Sequence, residues 1–129
     1  MGTITGSAKC SSYDKKDEVL KAVRRAVRLA GGLPPVKGKK GLIKPNLLSD
    51  ASVDRAVTTH PSIVWAVAKL VQDAGGIVTI ADSPGAGIVY SVHSLKKIYK
   101  KCGIDEVAKE LNIEPNYDTG YQDRSFPEG

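Results

Sequence analysis

The chain has 129 residues, 41% of them hydrophobic and 26% charged, a composition typical of one compact globular domain with its own core. No apolar run approaches the ~20 residues that a membrane span needs, and the first residues lack the apolar segment of a secretory signal. The two cysteines lie far apart, so this chain encodes no zinc ribbon, redox pair or iron–sulfur motif, and a reducing cytoplasm is the expected location. The net charge of +5 permits an anionic partner.

The first half of the chain predicts a strand, a helix and a second strand. Residues 3–10 are expected to form a short strand. Apolar side chains then recur at helical spacing, with Asp14 as the predicted N-cap, until Gly31–Gly32 ends the helix. The apolar pair 42–43 is the next strand, and it should end before Pro45, which cannot donate a hydrogen bond to a sheet.

The second half repeats this alternation. Pro61 is well suited to the first position of a helix, and Thr59 is chemically a better cap for it than His60. The remaining predicted elements are a buried strand at 77–81, a helix at 91–102, a short helix that Asp105 caps, a last strand from Ile113, and an irregular tail at 117–129.

Strands that alternate with helices predict an α/β fold with a small, mostly parallel sheet and helices on its faces, similar to a Rossmann domain. Residues 1–129 are expected to form a single domain. The polar tail has no closing helix, so the predicted architecture is an incomplete one that continues in a longer protein.

Three segments carry most of the functional information: 42–48, 56–61 and 81–87. The first and third follow predicted strands, and the second is a loop that leads into a helix. Loops at the carboxyl edge of an open α/β sheet are where such folds bind ligands. We therefore expect a small-molecule site, for an anionic ligand, where these three segments meet.

Lys44 and Asn46 are the candidate binding residues of the first segment. A lysine at the end of a strand can pair with a phosphate or carboxylate, and an asparagine offers both donors and acceptors. The alternative interpretation is structural. Lys44 would then extend its ammonium group to solvent, and Asn46 would cap the turn.

The third segment contributes Asp82, Ser83, Gly85 and Gly87 as candidate binding residues. The two glycines permit positive φ angles and a close approach of the backbone to a ligand, and successive N–H groups before a helix form an anion-binding nest. The segment matches no established phosphate-binding motif. The alternative is a tight strand-to-helix turn in which Asp82 accepts local N–H groups.

Thr59 and His60 complete the candidate site. The start of a helix disfavours the protonated imidazole, so His60 is expected to be neutral and suited to acid–base chemistry. His60 and Asp82 are thus the candidate catalytic residues, although a capping role for His60 is the alternative. No spacing selects a set of metal ligands, and no nucleophile motif is present, so the sequence assigns no metal and no reaction.

In their order, the segments LIKPNLL, AVTTHP, DAGG and ADSPG resemble the N-terminal portion of the domain-of-unknown-function 362 family over residues 37–115. The resemblance implies that the family domain continues beyond Gly129. Many members carry a ferredoxin-like cysteine segment beside this domain. An iron–sulfur cluster is therefore implied for longer members, with its cysteines outside this chain.

Several functions follow as hypotheses. The first is the small-molecule or anion site, and the second is a redox protein that serves an iron–sulfur module elsewhere. A third is a structural module that forms a homodimer through an open sheet edge. Nucleic acid is not an expected partner, because the lysines of helix 91–102 have few aromatic neighbours and no binding motif accompanies them.

Overall fold

The computed structural model describes residues 2–85 and 87–127. In this part of the chain, four α-helices and two β-strands alternate, and a single 3₁₀ turn lies between β1 and α2. Their bounds are α1 Lys16–Leu29, β1 Lys40–Ile43, the 3₁₀ turn Val53–Arg55, α2 Pro61–Asp73, β2 Ile77–Ile80, α3 Val92–Lys101 and α4 Ile104–Glu110. This arrangement confirms the predicted α/β class.

The two strands run parallel, with Lys40 opposite Ile77 and Ile43 opposite Ile80. Helix α2 connects them and packs on one face of the sheet. Gly41 lies on this face, where a Cβ atom would be in ordinary van der Waals contact with Val71 Cγ1 at 3.6 Å. The carboxyl ends of both strands therefore lie at the same edge, close to the N-terminus of α2.

The opposite face of the sheet is uncovered in the described part of the chain. Leu42 is 66% exposed and Ile77 is 56% exposed, whereas Val78 and Ile80, which point to the α2 face, are buried. Side chains alternate between the two faces of a strand, so the sheet is apolar on both faces but covered on only one.

The core lies between the sheet and helices α2, α3 and α4. Its fully buried side chains include Ile80, Leu95, Tyr99 and Ile104, and α1 adds Val19 from the outer side of α2. Among the described residues, none of the helices combines the length and the apolar character that crossing a bilayer requires.

The strand predicted at residues 3–10 is wrong. This segment lies across α1 and not beside a strand. Gly6 approaches the helix so closely that a Cβ atom there would lie 1.9 Å from the carbonyl oxygen of Ala26. The β-branched residues Thr3, Ile4 and Thr5 are exposed to solvent.

The last strand, predicted from Ile113, is also wrong. Asn116 N–H donates to the Ile80 carbonyl at 2.9 Å, which is the one backbone hydrogen bond between 112–118 and β2 among the described residues. Asn112 has a φ of 52°, and Ile113 N–H donates to Ala108 at the end of α4. These two features direct the segment away from β2 before it reaches Asn116.

Three helix caps differ from the predictions, one of them at α4, which Gly103 and not Asp105 precedes. Lys15 and not Asp14 precedes α1, and its side chain makes no capping hydrogen bond. His60 and not Thr59 caps α2, because its ring accepts a hydrogen bond from Ser62 N–H. Thr59 is engaged elsewhere: its hydroxyl oxygen accepts a hydrogen bond from Asn46 N–H at 2.8 Å.

Candidate functional site

The first two segments meet directly after β1. Thr59 N–H donates to the Asn46 carbonyl at 2.9 Å, and the Asn46 amide side chain donates to the Val57 carbonyl at 3.2 Å. Together with the hydrogen bond from Asn46 N–H to the Thr59 hydroxyl oxygen, these contacts join Asn46 to the segment 57–59 with donors on both sides. Asn46 and Thr59 therefore fix the loops to each other.

Asp82 joins the third segment to the first. Its side chain is only 4% exposed, and Oδ2 accepts a hydrogen bond from Leu47 N–H at 2.9 Å. Lys44 Nζ lies 2.5 Å from Oδ1 and forms an ion pair with it. The geometry of this contact does not meet that of a hydrogen bond, and no other donor among the described residues forms a hydrogen bond with Oδ1. The buried carboxylate thus depends on Lys44 for its charge balance.

Lys44 itself is largely in solvent, with 67% of its side chain exposed. An ammonium group carries three donors, and the single contact with Asp82 leaves the others free for a ligand. The pair therefore consists of a fixed inner anion and an outer cation at the carboxyl edge of the sheet.

The rest of the third segment lines the same edge. Ser83 and Gly85 are exposed, and a Cβ atom on Gly85 would lie 3.5 Å from Leu48 Cδ1. Gly87 has a φ of 72°, and Ile88 N–H donates to the Gly85 carbonyl at 3.3 Å to close a turn. Ala86 lies outside the described residues. The backbone of this turn therefore lies next to the first segment.

The His60 ring faces a different part of the molecule. Its Nδ1 accepts a hydrogen bond from Ser62 N–H at 3.2 Å and lies 2.8 Å from the Ser62 hydroxyl. The ring stacks on Tyr13 with 4.4 Å between centroids, in a cleft that α4 also lines. Because Nδ1 is an acceptor, the hydrogen of the neutral ring is on Nε2.

Tyr99 is a buried residue of this edge that the sequence did not single out. Its hydroxyl donates to the Asn116 carbonyl at 3.1 Å. Burial raises the pKa of this phenol, and the adjacent backbone amide of Asp82 acts in the opposite direction. A tyrosine at helical spacing from Leu95 and Cys102 is a signal of burial, but its partners are far away in sequence.

Helix α3 also ties down the loop that follows β1. Lys97 Nζ lies 2.9 Å from Asp50 Oδ2, and this hydrogen bond, together with the charge of Lys101, lowers the pKa of Asp50. The Cys102 thiol lies 3.5 Å from the Ala51 carbonyl oxygen, and burial raises its pKa. Two of the α3 lysines thus have an acidic partner within the chain.

The described residues contain no group of three or more His, Cys, Asp and Glu side chains close enough to hold a metal ion. Cys10 and Cys102 are free thiols on different elements. The polar groups that converge at the carboxyl edge are one carboxylate, one ammonium, amides and hydroxyls, a set suited to an organic or phosphate-bearing anion.

A model of the family described as domain of unknown function (DUF362) matches residues 42–129. The chain belongs to the DUF362 family. The match includes all three segments of the carboxyl edge, and the resemblance inferred from their sequences is confirmed. Helix α1 precedes the matched range.

One curated relative is the thylakoid-associated protein sll1697 of Synechocystis sp. (strain ATCC 27184 / PCC 6803 / Kazusa). It is 48% identical over 50 residues, which are 39% of this DUF362 chain and 16% of the relative. The match therefore spans less than a fifth of that protein. No solved structure matches the chain.

Proposed function

We propose that the carboxyl edge of this sheet binds a small anionic molecule through Lys44, with the turn at Ser83, Gly85 and Gly87 as the second wall. The observation that carries the proposal is the Lys44–Asp82 pair, in which a buried carboxylate holds an exposed ammonium group 2.5 Å away. The charge is thereby oriented before a ligand arrives, which reduces the entropy lost on binding.

The other candidate residues have supporting roles in this proposal. Asn46 and Thr59 hold two loops in register through their mutual hydrogen bonds. Asp82 orients Lys44. His60, whose Nε2 is not used for capping, remains the candidate for proton transfer to a larger ligand that extends toward α2. Free thiols at both cysteines support a cytoplasmic location for this activity.

The direct test is a titration of the ¹⁵N-labelled chain with inorganic pyrophosphate, followed through backbone amide shifts at constant ionic strength. We expect saturable shifts at Leu47, Ser83, Gly85 and Gly87. Lys44→Met should raise the Kd about tenfold or more, because a charge-assisted hydrogen bond contributes ~1.5–3 kcal/mol.

Lys40→Met is the matched control, since it removes the same charge from an exposed residue at the other end of β1. It should leave the titration almost unchanged. Amide shifts centred on Lys96–Lys101, or an equal rise in Kd for both substitutions, would show that pyrophosphate binding depends only on the net charge of the chain. Asp82→Asn provides a further comparison. It keeps the Lys44 ammonium group but removes the carboxylate that holds this group in place, so binding of pyrophosphate should weaken less than in Lys44→Met.

A second candidate function is self-association. Leu42 and Ile77 are large apolar side chains on the uncovered sheet face, and both are more than half exposed. The free edge of β1 is less suited to pairing, because Lys40 and its lysine neighbours surround it, a common protection against edge pairing. We therefore assign the expected homodimer to the face of the sheet and not to its edge.

A further inference from the structure

A groove of about 660 Å³ separates the free edge of β2 from the segment 112–118. This volume is within the range of ligand pockets, which is roughly 300–1,000 Å³. One wall is the edge of β2 around Val78, and the other consists of residues such as Asn112, Glu114, Asn116 and Asp118. The groove lies beside the sheet and away from Lys44, so the proposed anion site does not include it.

Unpaired backbone groups line the β2 wall. Ile77 N–H donates to Lys39 and Ala81 N–H donates to Ile43, so the odd-numbered residues of β2 face β1. The backbone N–H and carbonyl groups of Val78 and Ile80, and the carbonyl of Gly76, therefore face the groove, whereas Gly76 N–H donates to the Val71 carbonyl at 2.9 Å. The hydrogen bond from Asn116 to the Ile80 carbonyl uses one of their groups, and 112–118 makes no backbone bond to Val78.

The opposite wall is held away from β2 by its own contacts. Ile113 N–H donates to the Ala108 carbonyl at 2.8 Å, and the Gln72 side chain donates to the Leu111 carbonyl at 2.9 Å. These bonds tie the start of the segment to α4 and α2. The segment therefore cannot pair with Val78 while they persist, and the groove stays open beside an unsatisfied strand edge.

The charge of the groove is opposite to that of the whole chain. Glu114 and Asp118 are in its lining, and no lysine or arginine is among the described lining residues, although the chain contains 19 basic residues and has a net charge of +5. A partner with positive charge is favoured at this place, whereas the rest of the surface favours a negative one.

We propose that this groove binds an extended, lysine- or arginine-bearing polypeptide segment, which adds to the sheet as a strand beside β2. The Gly76 carbonyl and the N–H and carbonyl groups of Val78 supply main-chain hydrogen bonds, as in other cases of strand addition. The basic side chains of the segment lie against Glu114 and Asp118. Because the free edge is about four residues long, the bound segment has a similar length.

The experiment uses a capped seven-residue peptide of alternating lysine and valine and the ¹⁵N-labelled chain. We expect saturable amide shifts at Val78 and slower hydrogen exchange of that amide in the complex. Two matched peptides are controls: one with glutamate in place of lysine, and one with N-methylated valines that cannot donate to the edge. Neither should bind measurably.

Glu114→Lys should weaken binding of the lysine peptide about fivefold, the factor that corresponds to an exposed charge pair of ~1 kcal/mol. Glu106→Lys, the same change on the exposed surface of α4, should not. Circular dichroism of both variants confirms that they fold.

Three results would each overturn the proposal. One is slow exchange of the Val78 amide in the free chain, which would mean that 112–118 already closes the groove. Another is equal binding of the lysine and glutamate peptides. The third is self-association of the free chain that Glu114→Lys abolishes, since a second copy would then occupy the groove.

Discussion

Single buried polar groups hold the loops of the carboxyl edge in place. Asp82 accepts the backbone N–H of Leu47, 35 positions earlier in the sequence, and the Cys102 thiol lies against the Ser49 and Ala51 carbonyl oxygens. Each contact joins elements that are distant in the sequence. The position of Lys44 thus depends on contacts between residues that lie far apart in the sequence.

The two cysteines should differ in reactivity. Cys102 is fully buried and burial raises its pKa, so little thiolate forms there at neutral pH, whereas Cys10 is partly exposed. Reaction of the native chain with a colorimetric disulfide reagent should therefore give one fast and one slow thiol. Cys10→Ser should remove the fast phase, and both thiols should react together in denaturant. A fast phase that survives in Cys10→Ser would contradict the burial of Cys102.

The sequence predicted much at the scale of single residues. Lys44, Asn46 and Asp82 lie at the same edge of the sheet, because each comes within about three residues of the end of a parallel strand. The capping role of His60 was one of its two predicted alternatives, but its stack on Tyr13 was not predictable, since Tyr13 comes from an irregular segment with no periodic pattern.

At the scale of elements, hydrophobic periodicity located α1 and α2, and start and stop residues located α3 and α4. Local chemistry was less reliable for the exact ends of these helices. Helix α3 begins after Ser91, whose hydroxyl accepts Ser94 N–H. Helix α4 begins after Gly103, which has a φ of 74°, and Asp105 lies inside its first turn. The residue that caps a helix is set by the direction from which the chain enters the helix. Contacts with neighbouring elements determine that direction.

His60 offers a test of capping at α2. His60→Ala removes the acceptor for Ser62 N–H and should lower the free energy of unfolding by about 1 kcal/mol. His60→Asn retains a side-chain acceptor and should restore most of the loss. Chemical denaturation of both variants measures the difference. An equal loss in the two would mean that the stack on Tyr13, and not the cap, stabilises this end of the helix.

The strand predictions were less accurate than the helix predictions. The runs at 42–43 and 77–81 form strands because each finds the other as a parallel partner. Residues 3–10 and those from Ile113 onward have suitable composition but no partner. A β-strand forms only where a second strand pairs with it, so the composition of one segment cannot establish a strand.

At the scale of the whole molecule, the helices of the described residues pack on one face of the two-stranded sheet. Leu42 and Ile77 are therefore in contact with solvent, although strands of this composition are usually covered on both faces. An uncovered apolar surface of this kind favours association.

We expect the chain to self-associate in sedimentation experiments as its concentration rises, and the double substitution Leu42→Lys with Ile77→Lys to keep it monomeric. Charged side chains on this face would have to be desolvated in the interface, which is unfavourable. Leu29→Lys, at the exposed end of α1, is the control and should still associate. A wild-type chain that is monomeric at every concentration would contradict this use of the face.

The sequence by itself determined the α/β class, the helices, the two central strands, the family and the loops that carry the polar residues. These properties depend on local periodicity and on motifs whose residues are adjacent in the chain. Only the tertiary structure decided that Asp82 orients Lys44, that the His60 ring lies apart from them, and that β2 keeps a free edge beside an acidic groove. Each of these depends on contacts between distant segments, where packing and hydrogen-bond partners override the preferences of single residues.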